Sequence, residues 1–293
     1  MHRLLALAPL LCLMPGLAAA GPVLERIRSS GTLTIAHRES SQPFSYLDAD
    51  KRPVGYALDL CERLADAVRR KLALKSLNLQ YTLVTPADRI ATIAEGRADL
   101  ECGSTTNNAE RRQQVAFTVP HYITGTRYLV RAESDIADLA GFANRKLVST
   151  KGTTPLKAVT AANSDRLLKI AIAEVPDHAK GIEMVEKREA DGFAMDDVLL
   201  YGLAAGRPDP AAFKVVGKFL TIEPLAIMLS KDDAEFKKVV DDEMKRLILS
   251  REAHALYERW FMKPIPPRNV AINLPMSYFL KDFWKYPTDH VPF

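Results

Sequence analysis

The stretch ECGSTTNNAER, residues 101–111, follows a short apolar run that ends at Leu100. This order predicts a strand that leaves the core, turns and enters a helix. Ser104 and Thr106 supply hydroxyls, the turn frees backbone N–H groups, and Arg111 adds a planar, two-pronged donor. Helix starts attract anions, and arginine suits a carboxylate. The stretch therefore has the groups that hold a carboxylate and an ammonium group. The alternative is an ordinary capped helix start on the surface.

Short apolar strands alternate with amphipathic helices on both sides of this stretch, as in a parallel α/β sheet. The first unit has a short helix around Leu24 and Ile27, followed by strands and helices at 32–37, 55–72, 77–84, 86–96 and 98–101. A second unit repeats this layout at 146–149, 155–162, 170–175, 178–188, 192–195 and 198–205. The sequence thus predicts the α/β class, with a largely parallel sheet in each unit.

Two β-prone stretches, residues 119–130 and 223–229, connect the units. We therefore predict two lobes joined by a two-strand hinge, each lobe a sheet flanked by helices. The predicted division is 1–20 as a signal peptide, 21–125 plus 227–293 as lobe 1, and 126–226 as lobe 2. Helices within 232–261 close lobe 1, and we expect the tail beyond the prolines of 264–267 to run over the surface.

The N-terminus predicts export. Met1-His2-Arg3 is a basic start, and residues 4–17 are apolar. Ala18-Ala19-Ala20 has the small residues that are typical of a signal-peptide cleavage site. A membrane span needs about 20 apolar residues, and Pro15-Gly16 interrupts this run before it reaches that length. We therefore expect a soluble, exported protein cut after Ala20, with an uncleaved anchor as the alternative.

Size and charge narrow the class further. About 270 residues remain after cleavage, enough for one large or two medium domains. The formal charge of the full chain is +4, and the two signs are mixed along it. Because there is no basic stripe, we expect no nucleic-acid partner. We also expect a monomer.

The mature chain keeps two cysteines, Cys61 and Cys102. An oxidising compartment allows them to form a disulfide, and two buried free thiols are the alternative. Their spacing fits no metal motif. The sequence predicts neither a metal nor another cofactor.

Candidate binding residues follow the predicted strands of both units. Ligands of such sheets bind beyond the carboxyl ends of the strands. The candidates are Arg38, Arg89, Ser104, Thr106, Arg111, Thr153, Thr154, His178 and Asp196. Each has an ordinary explanation when taken alone, such as a solvated arginine or an aspartate that caps a helix. Their shared placement at strand ends favours a single cleft between the lobes.

Charge complementarity indicates the ligand. Three arginines and His178 against one aspartate suit a molecule with two negative groups and one positive group. A dicarboxylic amino acid would use Arg111 and the threonines for one carboxylate, Arg38 and Arg89 for the other, and Asp196 for the ammonium group. We predict no catalytic residues.

Several motifs closely resemble those of the periplasmic glutamate/aspartate-binding proteins of ABC importers. They lie in the same order from about Val23 to about Asn273, and the long ones are specific. They are residues 37–46, 101–108 with Glu110-Arg111, Trp260-Phe261 followed by 264–267, Val54-Gly55-Tyr56, Asp177-His178 and Met195-Asp196-Asp197. The resemblance implies two α/β lobes that close on a ligand, the fold of periplasmic binding proteins, and delivery to a permease in the inner membrane.

The resemblance also implies a role for each candidate. Arg111, Ser104 and Thr106 would engage the α-carboxylate and the amino group, with Asp196 on the ammonium. Arg38, Arg89 and His178 would face the side-chain carboxylate, and Thr154, with Thr153 as the second choice, would hydrogen-bond from lobe 2. Pro86 departs from the family pattern, because those proteins tend to have a serine there near the ligand.

Two other functions compete with this interpretation. The first is binding of another anionic amino acid or a small dicarboxylate. The second is an exported lyase of cyclic carboxylates on the same architecture, with His178 and Glu223 as acid and base. A ligand-sensing protein that docks on a receptor is a further possibility within the binding class.

Overall fold

The computed structural model describes residues 21–291. The predicted signal peptide, residues 1–20, lies outside the described residues. Within 21–291, no helix is long and apolar enough to cross a membrane.

The described part of the chain contains short strands and helices in alternation. The strands are β1 (Thr32–His37), β2 (Ser40–Ser41), β3 (Ser45–Leu47), β4 (Pro53–Val54), β5 (Asn78–Leu83), β6 (Leu100–Glu101), β7 (Ala116–Phe117), β8 (Tyr122–Thr124), β9 (Thr126–Arg131), β10 (Lys146–Thr150), β11 (Ala171–Val175), β12 (Gly192–Asp196), β13 (Phe213–Val216), β14 (Glu223–Leu225) and β15 (Met228–Leu229). The helices are α1 (Pro22–Ser30), α2 (Tyr56–Lys71), α3 (Arg89–Ala94), α4 (Ala109–Arg112), α5 (Thr154–Asp165), α6 (His178–Glu186), α7 (Asp197–Ala205), α8 (Ala234–Leu249), α9 (Glu252–Tyr257) and α10 (Tyr278–Phe283). Two single 3₁₀ turns, Ala140–Phe142 and Pro210–Ala212, and a π-helical turn, Glu258–Met262, complete them.

Two five-stranded sheets form the centres of two lobes. The first has the order β5-β1-β6-β15-β7, and the second has the order β11-β10-β12-β9-β13. Three strands of each sheet run parallel, and the remaining pairings of β15 and of β9 are antiparallel. The α/β alternation and the two-lobed fold are therefore confirmed. The sheets are mixed rather than largely parallel, because the chain returns through β9 and β15 after each crossing between lobes.

The crossings between the lobes are the paired strands β8 and β14. They are antiparallel, with Glu223 opposite Thr124. Gly125 follows β8 and lies close to the segment before β14, because an added Cβ would be 2.3 Å from the Thr221 carbonyl oxygen. The two β-prone stretches thus form the predicted hinge. The boundaries at 125/126 and 226/227 stay predictions.

Local signals explain where two helices begin and end. Gly31 ends α1 in the left-handed conformation, with φ of 65°, and donates its N–H to the Ile27 carbonyl. Before α3, Thr85 and Asp88 cap each other, since each side chain accepts from the other residue's N–H. Thr85 and Asp88 therefore form a reciprocal cap just before α3. The helix begins at Arg89 rather than at Pro86, because residues 86–88 form a turn.

The C-terminal tail packs against lobe 1 instead of only running over its surface. Leu280, Trp284 and Val291 are buried. The Trp284 indole donates to the Pro120 carbonyl at 3.0 Å. Leu280 and Trp284 are four residues apart, so they share the buried face of α10. The expectation of a surface tail was wrong for this face. Two apolar residues spaced four apart form a side of the tail that packs against the lobe, although prolines precede them in the sequence.

A disulfide joins Cys61 on α2 to Cys102 just after β6. Both cysteines are buried. The alternative of two free thiols is therefore excluded by the structure. The cross-link ties the stretch 101–111 to the long helix that covers the first sheet.

Removing this cross-link is expected to lower stability. The loop it closes spans a sequence separation of 41 residues, and a bridge of this kind contributes about 2–4 kcal/mol. We expect Cys61→Ala/Cys102→Ala to lower the free energy of unfolding by that amount in urea titrations. Reductant should lower the wild-type midpoint similarly and leave the double variant unchanged. Equal midpoints for both proteins would contradict the prediction.

Candidate functional site

The stretch 101–111 forms a turn between β6 and the short helix α4. The cap of α4 is Asn108, whose side chain accepts from the Arg111 N–H at 2.9 Å. Ser104 and Thr106 therefore do not cap this helix. The expected attraction of anions by the helix itself was overestimated, because α4 has only 4 residues and therefore a small dipole. Anion binding here depends on Arg111.

Strand β14 and the segment after it hold this turn in place. The Asn107 N–H donates to the Pro224 carbonyl at 2.8 Å, and the Ala226 N–H donates to the Thr105 carbonyl at 3.0 Å. Thr106 forms an isolated antiparallel bridge with Leu225. The binding turn of lobe 1 is thus attached directly to the hinge.

Lobe 2 contributes the starts of three helices, α5, α6 and α7, which follow the parallel strands β10, β11 and β12. Thr153 caps α5 by accepting from the Leu156 N–H, and Asp177 caps α6. Asp196 occupies the cap position of α7 but makes no capping hydrogen bond. Its Oδ1 is buried without a partner in the structure. The ordinary explanation as a helix cap therefore does not account for Asp196.

A small cavity lies where these elements meet. Seven of the nine predicted residues line it, together with Pro155 and Met195. The seven are Arg89, Ser104, Thr106, Thr153, Thr154, His178 and Asp196. Their common placement in one cleft was the central prediction from the strand ends. Their contacts with a ligand stay predictions.

Arg38 and Arg111 lie behind this lining, and both are buried. Arg38 donates Nε to the Val84 carbonyl at 3.0 Å, while its Nη1 is buried without a partner in the structure. Arg111 donates to the Thr106 carbonyl at 2.9 Å and reaches the Gly152 carbonyl of lobe 2 at 3.4 Å. Arg111 therefore spans the cleft.

The three guanidinium groups perturb one another. Burial, and then the charge of Arg89, lower the pKa of Arg38 to about 9 and that of Arg111 to about 10. Burial also lowers the pKa of Arg89, against the opposing effect of Glu101 and Asp196. Arg38 and Arg111 therefore remain cationic at neutral pH. Arg89 Nε is buried and has no partner in the structure. Such unpaired buried donors are costly unless an anion binds them.

His178 is a neutral residue in this environment. Burial, followed by the charges of Arg38 and Arg89, lowers the pKa of its imidazole well below the usual value. Its Nδ1 lies 2.8 Å from the Thr150 hydroxyl. The prediction that His178 helps to balance negative charge was wrong, because the imidazole is buried and two buried arginines already supply that charge.

Two buried carboxylates were missing from the predicted site. Glu101 accepts from the Thr105 hydroxyl at 2.5 Å, and its Oε1 has no partner in the structure. Glu223 on β14 accepts from the Thr154 hydroxyl at 2.8 Å. The count of one aspartate against three arginines was therefore incomplete. Glu101 stood in the opening stretch, but its spacing does not show that it is buried beside the arginines. The spacing of Glu223 does not show that the hinge strand β14 brings it to the cleft.

Burial and neighbouring carboxylates also act on Asp196. Burial first, then Glu223 and Asp197, raise the pKa of its carboxyl well above the usual range. A cation bound beside its free Oδ1 would reverse this effect. Asp196 is thus suited to an ammonium group. Within residues 21–291, no grouping of histidine, cysteine, aspartate and glutamate is suited to a metal ion.

The lobes touch each other around the cavity. The hydroxyls of Thr106 and Thr154 are 3.1 Å apart, and Lys157 of α5 pairs with Glu110 of α4 at 2.6 Å. Gly152 has a φ of +77°, and an added Cβ would lie 2.7 Å from both the Pro86 carbonyl oxygen and the Ala87 Cα. The structure is therefore a closed form. Pro86 is buried at the rim of the cleft and does not line the cavity.

Two lobes that meet at a charged polar cavity and are joined by a hinge of two strands are the features of a two-lobed ligand-binding protein. The model for the bacterial extracellular solute-binding proteins, family 3, matches residues 33–263. The chain belongs to this family.

Curated relatives share most of their length with this chain. It is 40% identical to an L-glutamate/L-aspartate-binding protein of Pseudomonas aeruginosa, over 91% of this chain and 88% of that protein. It is 37% identical to a glutamate/aspartate import solute-binding protein of Escherichia coli K12, over 92% of this chain and 90% of that protein. The resemblance drawn from the sequence motifs is confirmed at the level of the family.

Solved structures support the fold. A solute receptor for L-cysteine of Neisseria gonorrhoeae has a TM-score of 0.72 and 21% identity, over 82% of this chain and 94% of that one. A cysteine-binding protein of Campylobacter jejuni has a TM-score of 0.70 and 21% identity, over 81% of this chain and 92% of that one. Both are amino-acid receptors by name, and their likeness concerns the fold.

We expect His178 to make the protein less stable in acid. The folded protein keeps the imidazole neutral while the unfolded chain binds the proton below about pH 6.5, so falling pH favours the unfolded chain. Between pH 7.5 and 5.5, the wild type should lose about 1.4 kcal/mol more unfolding free energy than His178→Asn. Urea titrations at both pH values measure the difference. An equal loss in both proteins would show that His178 is protonated in the fold.

Proposed function

We propose that this protein captures L-glutamate or L-aspartate in the closing cleft and delivers it to the membrane permease of an ABC importer. The names of the two relatives above supply the ligand class, and the charge pattern of the cavity supports it. The protein acts as a receptor and performs no chemistry on the ligand.

The observation that carries the proposal is the set of unpaired buried groups around one small cavity. Arg38 and Arg89 have free guanidinium nitrogens, and Asp196 has a free carboxylate oxygen. Buried polar groups in folded proteins are nearly always paired. An acidic amino acid has the two carboxylates and the ammonium group that would pair them.

Each part of the ligand has a proposed partner. Arg111, Ser104 and Thr106 hold the α-carboxylate and part of the amino group, as the turn 101–111 suggests. Arg38 and Arg89 face the side-chain carboxylate, and Asp196 faces the ammonium. The neutral His178 and Thr154 contribute hydrogen bonds from lobe 2. The Thr153 hydroxyl is already used within lobe 2, since it donates to the Thr150 carbonyl at 2.6 Å.

Closure strengthens these interactions. A charge pair at about 4 Å gains roughly 1 kcal/mol in water and about 4 kcal/mol at an effective dielectric constant of 20. A ligand of about ten heavy atoms then reaches about −8 kcal/mol, which corresponds to micromolar affinity. A closed cleft is therefore sufficient for a useful receptor.

The cellular setting follows from the same proposal. The protein is exported to the periplasm after removal of residues 1–20, acts as a monomer, and docks on a permease in the inner membrane. A different anionic amino acid or a small dicarboxylate is the nearest alternative ligand. The lyase alternative is disfavoured because burial, and then two arginines, lower the pKa of His178 and make it a weak base, while both oxygens of Glu223 already accept from hydroxyl donors.

Titration calorimetry tests the proposal. The ligands are L-glutamate, L-aspartate, L-glutamine and succinate, and the ligand is recovered afterwards. We expect binding of at least one acidic amino acid, weaker binding of glutamine and succinate, and recovery of unchanged ligand. Failure to bind both acidic amino acids would overturn the ligand assignment. Recovery of a chemically altered ligand would overturn the receptor function.

Arg111→Ala is expected to abolish binding of every amino acid tested. Its guanidinium is the one that reaches from the turn of lobe 1 to the Gly152 carbonyl of lobe 2. Calorimetry should detect no heat of binding with L-glutamate, L-aspartate or L-glutamine. Retained binding of any of them would show that the α-carboxylate has another partner.

Arg38→Met and Arg89→Met are expected to erase the preference for acidic side chains while keeping a similar side-chain length. The ratio of glutamine to glutamate dissociation constants should fall about tenfold or more, because each lost charge-assisted hydrogen bond is worth about 1.5–3 kcal/mol. Arg145→Met is the matched control, since Arg145 pairs with Asp135 on the surface. An unchanged ratio in Arg38→Met would contradict the assignment of the second carboxylate.

A further inference from the structure

Glu223 lies on the hinge strand β14 and is 2% exposed. Each of its carboxylate oxygens accepts a hydrogen bond from a hydroxyl. Thr154 donates to Oε2 at 2.8 Å, and Thr221 donates to Oε1 at 2.7 Å. The proposed contacts with the ligand leave this carboxylate without a role.

The hydrogen bonds around Glu223 have a fixed direction. A carboxylate only accepts, and a threonine hydroxyl has one hydrogen to donate. Thr154 gives its hydrogen to Glu223, so Thr106 must be the donor in the 3.1 Å contact between the two threonines. The same count makes Thr126 the donor in its 2.8 Å contact with Thr221.

The directed chain connects the moving parts of the protein. Thr106 belongs to the binding turn of lobe 1, and Thr154 begins α5 in lobe 2. Thr126 begins β9 directly after the other hinge strand. Hydroxyls from both lobes are thus linked in a chain that ends at one carboxylate in the hinge, with Thr106 connected to Glu223 through Thr154. The contact between Thr106 and Thr154 requires the closed form.

The hydrogen bond to Glu223 also fixes the direction of the Thr154 hydroxyl at the start of α5. Thr154 is the first residue of α5, where a backbone N–H has no acceptor within the helix. With its hydroxyl hydrogen turned to Glu223, Thr154 presents a lone pair to Thr106. Two of the three threonines that line the cavity, Thr106 and Thr154, are therefore oriented by a residue that does not line it.

We propose that Glu223 is a positioning residue, which fixes the hydroxyl directions of Thr154 and Thr106 and thereby stabilises the closed, ligand-holding form. This inference rests on the proposed function, because the affinity for an acidic amino acid is the quantity that it changes.

Glu223→Gln is the direct test. Glutamine keeps the shape, but one of its two terminal atoms donates, so one arm of the chain must reverse or break. We expect the affinity for L-glutamate in titration calorimetry to fall about tenfold to a hundredfold, which is the typical effect of losing a hydrogen bond to a charged group. Glu189→Gln, on the exposed end of lobe 2, removes the same charge and should leave the affinity unchanged.

A double-mutant cycle separates positioning from a general loss of structure. Thr154→Val removes the hydroxyl through which Glu223 acts, so Glu223→Gln combined with Thr154→Val should weaken binding no more than the stronger single variant. Thr154→Ser, which keeps the hydroxyl, should bind within about threefold of the wild type. Additive losses, or equal losses in Thr154→Ser and Thr154→Val, would overturn the inference.

The two threonine variants decide the question even where Glu223→Gln does not fold, as judged by circular dichroism and urea unfolding. The outcome also separates this inference from the proposed function. If the wild type binds neither L-glutamate nor L-aspartate, the proposed function fails and the inference fails with it. If the wild type binds L-glutamate and the cycle is additive, only the role of Glu223 fails.

Discussion

The structure depends on one electrostatic constraint, the burial of three arginines beside three carboxylates between two lobes. Arg89 and Arg111 lie within reach of the charges of Glu101, Asp196 and Glu223, and Arg38 lies within reach of that of Glu101. Charges removed from water are tolerable only when they are paired. The closed form pairs them incompletely, because several guanidinium and carboxylate atoms have no partner in the structure. A ligand with complementary charges, as proposed above, would complete the pairing.

The fold around this cluster explains how the charges stay in place. Parallel strands end at the cleft in both sheets, and each is followed by a turn or a helix start that carries one polar side chain. The turn of lobe 1 is attached to the second crossing strand by backbone hydrogen bonds and to α2 through Cys102. The hinge is therefore continuous with the binding site, and rotation at the hinge changes the distances within the site directly.

Much of this was predictable from local patterns. Alternation of apolar strands and helices gave the α/β class, and placement at strand ends gave seven residues of the cavity lining. Glu101 and Glu223 were not predictable as members of the site, because burial beside arginines is a property of three-dimensional packing. The charge of His178 was misjudged for the same reason. Trp284 shows the reverse case, since a spacing of four residues could have indicated a docked tail.

The contact between Gly152 and the backbone of Pro86 and Ala87 has a mechanical consequence. Backbone atoms from opposite lobes meet here without a side chain between them, and protein interiors compress very little. The contact therefore acts as a stop that ends the closing rotation at a set angle. The width of the binding cavity between the lobes is therefore set by this contact, however strongly the charges attract. A ligand too long for this cavity would keep the two lobes from meeting at Gly152.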